Sequence, residues 1–133
     1  MLLRGLGLAP REVLRSERMW LCVYETAEEV TALAPDFAAL GTVVPGRFIP
    51  TAPGRNCDFV SRFFAPDAGI PEDPVTGSAH CTLMPYWAKR LGRAKLHARQ
   101  VSRRGGELWC ELENDRVRMA GHGAAYLKGR IDV

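Results

Sequence analysis

The sequence predicts an α+β domain, and three observations support this fold class. Residues 57–65 have the apolar, aromatic composition of a strand buried on both faces. A helix should follow, because apolar side chains after Ser78 repeat at helical spacing. Beyond that helix, further strand-like segments are separated by turn residues. Together these patterns predict an antiparallel meander packed beside one central helix.

The N-terminal part of the chain begins with a strand and a capped helix. Residues 19–25, MWLCVYE, form a short apolar run typical of a buried strand. Thr26 and Glu29 then have the spacing of a capping box, which predicts that a helix begins there. Asp36 can cap one further short turn that runs through Leu40.

The middle of the chain contains two segments of weaker pattern before the clearest strand. We predict a strand at residues 41–48, although it contains a proline and a glycine, and a loop at residues 49–56. Residues 57–65 place large apolar groups on both faces of a strand. This strand is therefore expected to be covered on both sides.

The central helix has a predicted end but two possible starts. Gly92 lies where a C-terminal glycine belongs. If Ser78 caps the helix, Pro85 lies past the first turn and should kink it. A start near Thr82 would remove that penalty, and the sequence leaves both starts open.

Four strands are predicted after the helix, with Gly105-Gly106 and Asn114-Asp115 as turns between the first three. Their ranges are 95–102, 107–113, 116–120 and 124–131.

Length and composition fit one soluble domain. The chain has 133 residues, of which 47% are hydrophobic and 25% are charged. Its formal net charge of +3 does not by itself indicate a nucleic-acid partner. The first ten residues have too short an apolar run for a signal peptide, and no apolar stretch reaches the roughly 20 residues of a membrane span. We therefore expect a cytoplasmic protein with no membrane partner.

The four cysteines are scattered, with no C-x-x-C pair, so we expect no zinc site. They fit reduced, buried thiols, and Cys81 in particular is expected to lie in the core or just behind the site. His97 and His122 are interpreted as structural, because no acid or cysteine accompanies them in sequence.

The densest group of reactive side chains is EDPVTGSAH, residues 72–80. Proline after Asp73 favours an extended backbone, and Gly77 lets a ligand approach the main chain. Ser78 can cap a helix whose first N–H groups attract an anion such as a carboxylate. The motif can therefore hold a small carboxylic acid beside a proton-transferring carboxylate. The same residues also make an ordinary turn before a helix, and composition alone favours that simpler interpretation.

The motif and its neighbours closely resemble the phenazine-biosynthesis PhzF-like family. The resemblance is carried by DFVSRFFAPDAGIPEDPVTGSAH, YWAKRLG, ARQVSRRGG and DRVRMAGHG. It implies the diaminopimelate-epimerase fold, in which each of two lobes is an antiparallel half-barrel wrapped around a central helix. It covers nearly the whole chain but only the second lobe, so residues 1–133 are expected to be a C-terminal-type lobe without its N-terminal lobe.

The resemblance implies a biosynthetic, cofactor-independent isomerase or epimerase that shifts a proton on a small carboxylic acid. No metal is implied. Asp73 and Ser78 resemble the family's active-site aspartate and serine, and substrate binding is expected at Thr76, Gly77, Ala79 and His80. For His80, a structural role is equally compatible with the sequence.

Two departures from the family pattern bear on activity. The family's catalytic glutamate, and a glycine-histidine helix start that faces this one, belong to the first lobe and have no match here. Val101 follows Gln100 where the family pattern suggests glycine.

Three hypotheses follow for the chain as a working unit. It can be half of an enzyme completed by a separate N-terminal lobe. It can instead form a homodimer in which two Asp73 motifs face each other. It can also be a non-catalytic module for carboxylate binding or oligomerisation. An RNA-binding domain is a further alternative, since residues 89–104 are basic and lack acids, but no aromatic side chains are interleaved, which favours a solvated face without nucleic acid.

Overall fold

The computed structural model describes residues 2–133. Its four α-helices are α1 (Leu2–Gly5), α2 (Ala27–Ala32), α3 (Phe37–Leu40) and α4 (Gly77–Leu91). Its nine strands are β1 (Glu12–Arg15), β2 (Trp20–Val23), β3 (Phe48–Pro53), β4 (Phe59–Ser61), β5 (Phe64–Ala65), β6 (Ile70–Glu72), β7 (Lys95–Gln100), β8 (Gly106–Glu113) and β9 (Arg116–Ala120).

All nine strands belong to one mixed sheet. The main order is β1-β2-β3-β4-β7-β8-β9, while β5 pairs with β3 and β6. The predicted antiparallel meander is confirmed for β7, β8 and β9. Two pairs, β2–β3 and β4–β7, are instead parallel. Helix α4 lies in the connection between β4 and β7 and packs against β7, β8 and β9.

Two apolar clusters hold the elements together. One surrounds α4, where Trp87 stacks on Phe59 with ring centroids 5.7 Å apart and donates its indole N–H to Thr51 Oγ1 at 3.0 Å. The second cluster joins α2 and α3 to the sheet through residues such as Val30 and Phe64. Because β4 and β5 contribute to both clusters, the predicted coverage of residues 57–65 on both faces is confirmed.

Local signals in the sequence place several helix boundaries correctly. Thr26 and Glu29 form the predicted capping box of α2, and Asp36 caps α3 through a 3.0 Å hydrogen bond from the Ala39 N–H. Gly92 ends α4 with a φ of 67°, the left-handed conformation that glycine adopts without a Cβ penalty.

Helix α4 begins at Gly77, with Thr76 rather than Ser78 at the N-cap. It runs through Pro85, so the alternative start near Thr82 is wrong. Pro85 is exposed, while the opposite helix face is buried against the sheet. Tertiary burial outweighs the local cost of the proline here.

Two strand predictions and one loop prediction are corrected by the structure. The strand at 41–48 is wrong, because this segment is a series of turns, and the loop at 49–56 is wrong, because β3 lies largely within it. Burial of Phe48, Ile49 and Ala52 between two sheet neighbours overrides the loop-like composition. The strand at 124–131 is also wrong.

Residues 121–133 form no strand pairing within the part of the chain that the structure describes. The apolar side chains of Tyr126, Leu127 and Ile131 are exposed. Alternating apolar residues express a local preference, but a strand also needs a hydrogen-bonding neighbour. Strands β1, β5 and β6 were not predicted as separate elements, because each is only two to four residues long.

Among the described residues, no helix has both the length and the apolar character needed to cross a lipid bilayer.

Candidate active site

The loop 73–76 joins β6 to α4 and carries the predicted catalytic carboxylate. The Asp73 N–H donates to the Phe63 carbonyl at 3.0 Å, so the loop is anchored to the chain leaving β4. The Thr76 hydroxyl donates to Asp73 Oδ2 at 2.6 Å. Asp73 and Thr76, both predicted as site residues, are therefore brought together.

A residue that sequence reasoning missed holds this loop from β7. Gln100 is 1% exposed and makes three hydrogen bonds to the loop. Its Oε1 accepts from the Thr76 N–H at 2.8 Å, while its Nε2 donates to the Asp73 carbonyl at 2.8 Å and to Thr76 Oγ1 at 3.0 Å. The only sequence signal was a polar residue at a core-facing position of a strand, with Leu96 and Ala98 on the same face.

The start of α4 has no side-chain cap. Thr76 occupies the N-cap position with extended backbone angles, φ −129° and ψ 103°, yet its hydroxyl is engaged with Asp73. The first N–H groups of a helix have no partner inside the helix. Those of Gly77, Ser78 and Ala79 are thus left for an external acceptor.

The three residues that begin α4 differ in exposure. Gly77 and Ser78 are exposed, whereas the Ala79 side chain is 1% exposed and packs in the cluster around α4. Ala79 can therefore offer its backbone but not its methyl group to a ligand. The prediction that Ser78 caps the helix is wrong, because Ser78 lies inside the first turn.

His80 is fully buried beneath the loop. Its Nδ1 lies 2.8 Å from the Thr76 carbonyl oxygen, which requires a proton on Nδ1, and its ring lies 6.0 Å from that of Phe59. Nε2 has no hydrogen-bond partner among the described residues. Burial lowers the pKa of His80, which favours the neutral ring. This position favours the structural interpretation, and the substrate-binding role stays a prediction.

Glu72, beside Asp73 in the chain, is committed to a structural ion pair. Both of its carboxylate oxygens accept from Arg62, at 2.7 and 2.9 Å. The same guanidinium donates to the Leu33 carbonyl at 2.7 Å, beyond the end of α2. Of the two adjacent acids, only Asp73 is therefore available for chemistry.

A cleft of about 510 Å³ opens beside the start of α4. Its lining residues are Val75, Gly77, Arg104, Gly105, Gly106, Glu107, Leu108, Met119, Ala120, Gly121 and His122. Asp73, Thr76, Ser78, Ala79 and His80 are not among the lining residues.

The segment 102–106, which carries Arg104, contacts the loop 73–76 at two points. Ser102 Oγ donates to the Pro74 carbonyl at 2.8 Å. A Cβ on Gly106 would lie 2.0 Å from Val75 Cγ2, so only glycine permits this approach. Arg104 forms no ion pair with any residue in 2–133, so the structure places an uncommitted positive charge at the cleft.

Most of the basic run 89–104 is neutralised by acids from neighbouring segments. Ion pairs link Arg90 to Glu12, Arg93 to Asp58, Lys95 to Glu111 and Arg99 to Glu107. His97 lies on the same face, 3.2 Å from Glu107, which corrects the expectation that no acid accompanies it.

Trp109 stacks on His97 at 5.0 Å and meets His122 at 4.9 Å, so strand pairing brings an aromatic ring into the basic face. The ion pairs support the solvated-face interpretation, which stays a prediction.

The cysteines form neither disulfides nor a metal cluster in the described chain. Cys22 and Cys110 are buried, and burial raises the pKa of Cys110 to about 11. Cys81 is exposed, so a place in the core is wrong, while a position just behind the site stays a prediction. Within residues 2–133, no group of three or more His, Cys, Asp or Glu side chains is arranged to hold a metal ion.

The single mixed sheet, the few helices and the acidic loop at the uncapped start of α4 define an α+β domain with a candidate small-molecule site. The chain belongs to the PhzC-PhzF family of phenazine biosynthesis-like proteins, whose family model matches residues 8–129. The family resemblance and the α+β class inferred from the sequence are thereby confirmed.

Relatives and solved structures agree with this assignment. An uncharacterised isomerase of Pseudomonas aeruginosa is 55% identical over 128 residues, covering 96% of this chain and 49% of that protein. A PhzC/PhzF protein from Clostridium difficile superposes with a TM-score of 0.87 and 38% identity, over 98% of this chain and 51% of that one. A PhzF-family protein from Enterococcus faecalis gives 0.83 and 43%, over 94% and 50%. The chain thus spans about half the length of these relatives.

Proposed function

We propose that the chain is one half-barrel lobe of a PhzF-like isomerase that shifts a proton on a small carboxylic acid without a cofactor. The observation that carries the proposal is the uncapped start of α4 beside the Asp73 carboxylate. Two Pseudomonas aeruginosa relatives, 55% and 45% identical, are described as isomerases, which supports the reaction class.

The start of α4 supplies the proposed carboxylate-binding group. Its free N–H groups and the positive end of a 15-residue helix favour an anion. Arg104, which lines the same cleft as Gly77, adds a positive charge without an ion-pair partner in the described chain. A carboxylate bound here would be oriented relative to Asp73 before any proton moves.

Asp73 and Ser78 are the proposed catalytic residues of this half-site. A base from the other half would remove a proton from carbon, while Asp73 hydrogen-bonds the substrate or relays that proton. The Ser78 hydroxyl and the N–H groups of Gly77 and Ala79 would stabilise the negative charge that develops on the carboxylate. Thr76 acts on the substrate through Asp73.

A matched pair of substitutions at Gly77 tests the carboxylate seat. A Cβ at Gly77 meets no atom within 4 Å, and the extended Thr76 backbone accepts a following proline. Gly77→Ala keeps the N–H group and Gly77→Pro removes it. We expect Gly77→Pro to bind benzoate about tenfold more weakly than Gly77→Ala, since a hydrogen bond to a charged group contributes about 1.5–3 kcal/mol.

Binding can be followed from backbone amide shifts of Ser78 and Ala79 in NMR spectra, with benzamide as the uncharged control. Equal benzoate affinity of the two Gly77 variants would reject the proposed carboxylate-binding site at the start of α4. Deuterium uptake from D2O at carbon of the bound acid, measured on the assembled protein, separates an isomerase from a module that only binds carboxylates.

A further inference from the structure

We propose that Gln100 and Thr76 are positioning residues that orient Asp73 so that its second oxygen, Oδ1, exchanges the proton with substrate. This role rests on the proposed function of Asp73. It goes beyond that function by assigning direction to each hydrogen bond in a buried network in which Gln100 is 1% and Thr76 8% exposed.

Two backbone groups fix the orientation of the Gln100 amide. The Thr76 N–H can only donate, so the atom 2.8 Å from it must be the amide oxygen. The Asp73 carbonyl can only accept, so the atom 2.8 Å from it must be the amide nitrogen. No flipped amide satisfies both contacts.

The amide orientation in turn fixes the Thr76 hydroxyl. Gln100 Nε2 lies 3.0 Å from Thr76 Oγ1 and has only protons to offer, so the hydroxyl oxygen accepts there. The hydroxyl proton then points to Asp73 Oδ2 at 2.6 Å, a length typical of a bond to a charged carboxylate.

The consequence is a carboxylate with one oxygen engaged and the other open. The side-chain hydrogen bond of Asp73 within residues 2–133 is made through Oδ2, which leaves Oδ1 for the substrate. The Thr76 side chain that makes these contacts does not cap α4, so the oriented carboxylate and the uncapped N–H groups occur together at this helix start.

The network can be tested on the full chain without any ligand. Gln100 is the only glutamine in the sequence, so its side-chain NH2 signals in NMR spectra are unambiguous. We expect its two protons to exchange with solvent at least about tenfold more slowly than those of the exposed Asn56 and Asn114. Exchange at the rate of these asparagines would overturn the proposal.

Substitution of Thr76 tests the positioning of Asp73. Thr76→Val should raise the exchange rate of one Gln100 side-chain proton and let the Asp73 side chain populate several χ1 rotamers, which three-bond couplings measure. Thr76→Ser keeps the hydroxyl and should preserve the slow exchange and the single rotamer. Gln100→Met should also average the Asp73 χ1 angle. A single Asp73 rotamer in folded Thr76→Val and Gln100→Met would overturn the role. Benzoate binding is measured separately from the network. Absence of benzoate binding would reject the proposed function, whereas the hydrogen-bond network is decided by the Gln100 exchange rates and the Asp73 couplings.

Discussion

At the scale of single residues, the site depends on which partner each polar group takes. A threonine at an N-cap ordinarily accepts a hydrogen bond from its own helix. In this protein the Thr76 side chain makes no such cap: its hydroxyl donates to Asp73 and accepts from Gln100. Threonine at an N-cap predicts a capped helix start, but the start of α4 has no side-chain cap.

His80 gives a pH-dependent prediction at this scale. Burial lowers the pKa of His80, so the unfolded chain binds a proton below about pH 6.5 while the folded chain does not. The stability contributed by the neutral ring is therefore complete above about pH 6.5 and is lost as pH falls below it. Between about pH 7.5 and 5.5, wild type should lose stability faster than His80→Asn, by at most about 1.4 kcal/mol per pH unit.

The measurement is urea unfolding of both proteins across this pH range. His80→Asn keeps an N–H donor for the Thr76 carbonyl but does not titrate. Parallel stability curves for the two proteins would show that His80 does not couple folding to pH.

At the scale of elements, the Arg62–Glu72 pair connects three parts of the fold that surround the site. Arg62 follows β4, Glu72 ends β6, and the Leu33 carbonyl lies just beyond α2. The side chains of Arg62 and Glu72 are only 11% and 21% exposed, so water and salt screen this pair far less than a surface pair. This ion pair, the Arg62–Glu72 clamp, holds the end of β6 and thereby the position of Asp73, which follows β6 directly.

Removing one member of this clamp should destabilise the domain. Glu72→Gln leaves the largely buried Arg62 charge without its carboxylate, and we expect a loss of about 1–3 kcal/mol in urea unfolding. Glu28→Gln is the matched control, because Glu28 and Arg55 form an exposed pair, and its effect should stay below about 1 kcal/mol. Similar losses in the two variants would show that the clamp contributes no more than a surface ion pair.

Sequence reasoning succeeded where the signal was local. The capping box at Thr26 and the Gly92 terminus are set by neighbours within a few residues. It failed where the deciding contacts come from distant strands. Gln100 lies 24 residues from Thr76, and its role depends on the sheet position of β7. Likewise, β3 forms in a loop-like sequence because two neighbouring strands bury it.

At the scale of the whole molecule, the chain spans about half the length of its matched relatives. The proposed reaction uses a second acid–base group, and Glu72, beside Asp73 in the chain, does not supply it because Arg62 engages both of its carboxylate oxygens. A second lobe, or a second copy of this chain placed by twofold symmetry, would complete the site.

We expect self-association, with two copies bringing their Asp73 loops together, and native mass spectrometry should then show twice the mass of one chain. Asp73→Arg should shift the mass toward the monomer if the loops face each other, because two arginines with bulky charged ends would meet. Lys128→Glu, in the exposed C-terminal segment, serves as the charge-changing control. A monomer at all concentrations would eliminate the self-paired site and leave a separate partner lobe.

The parallel pairing of β4 with β7 also determines when the site can form. Phe59 pairs with Ala98, and only this long-range closure brings Gln100 to Asp73, 27 residues away. Closing such a loop costs chain entropy before any contact compensates for it. A short peptide containing EDPVTGSAH therefore lacks the contact that orients its aspartate. During folding, the hydrogen bonds around Asp73 can therefore be completed only after β4 and β7 have paired at the centre of the sheet.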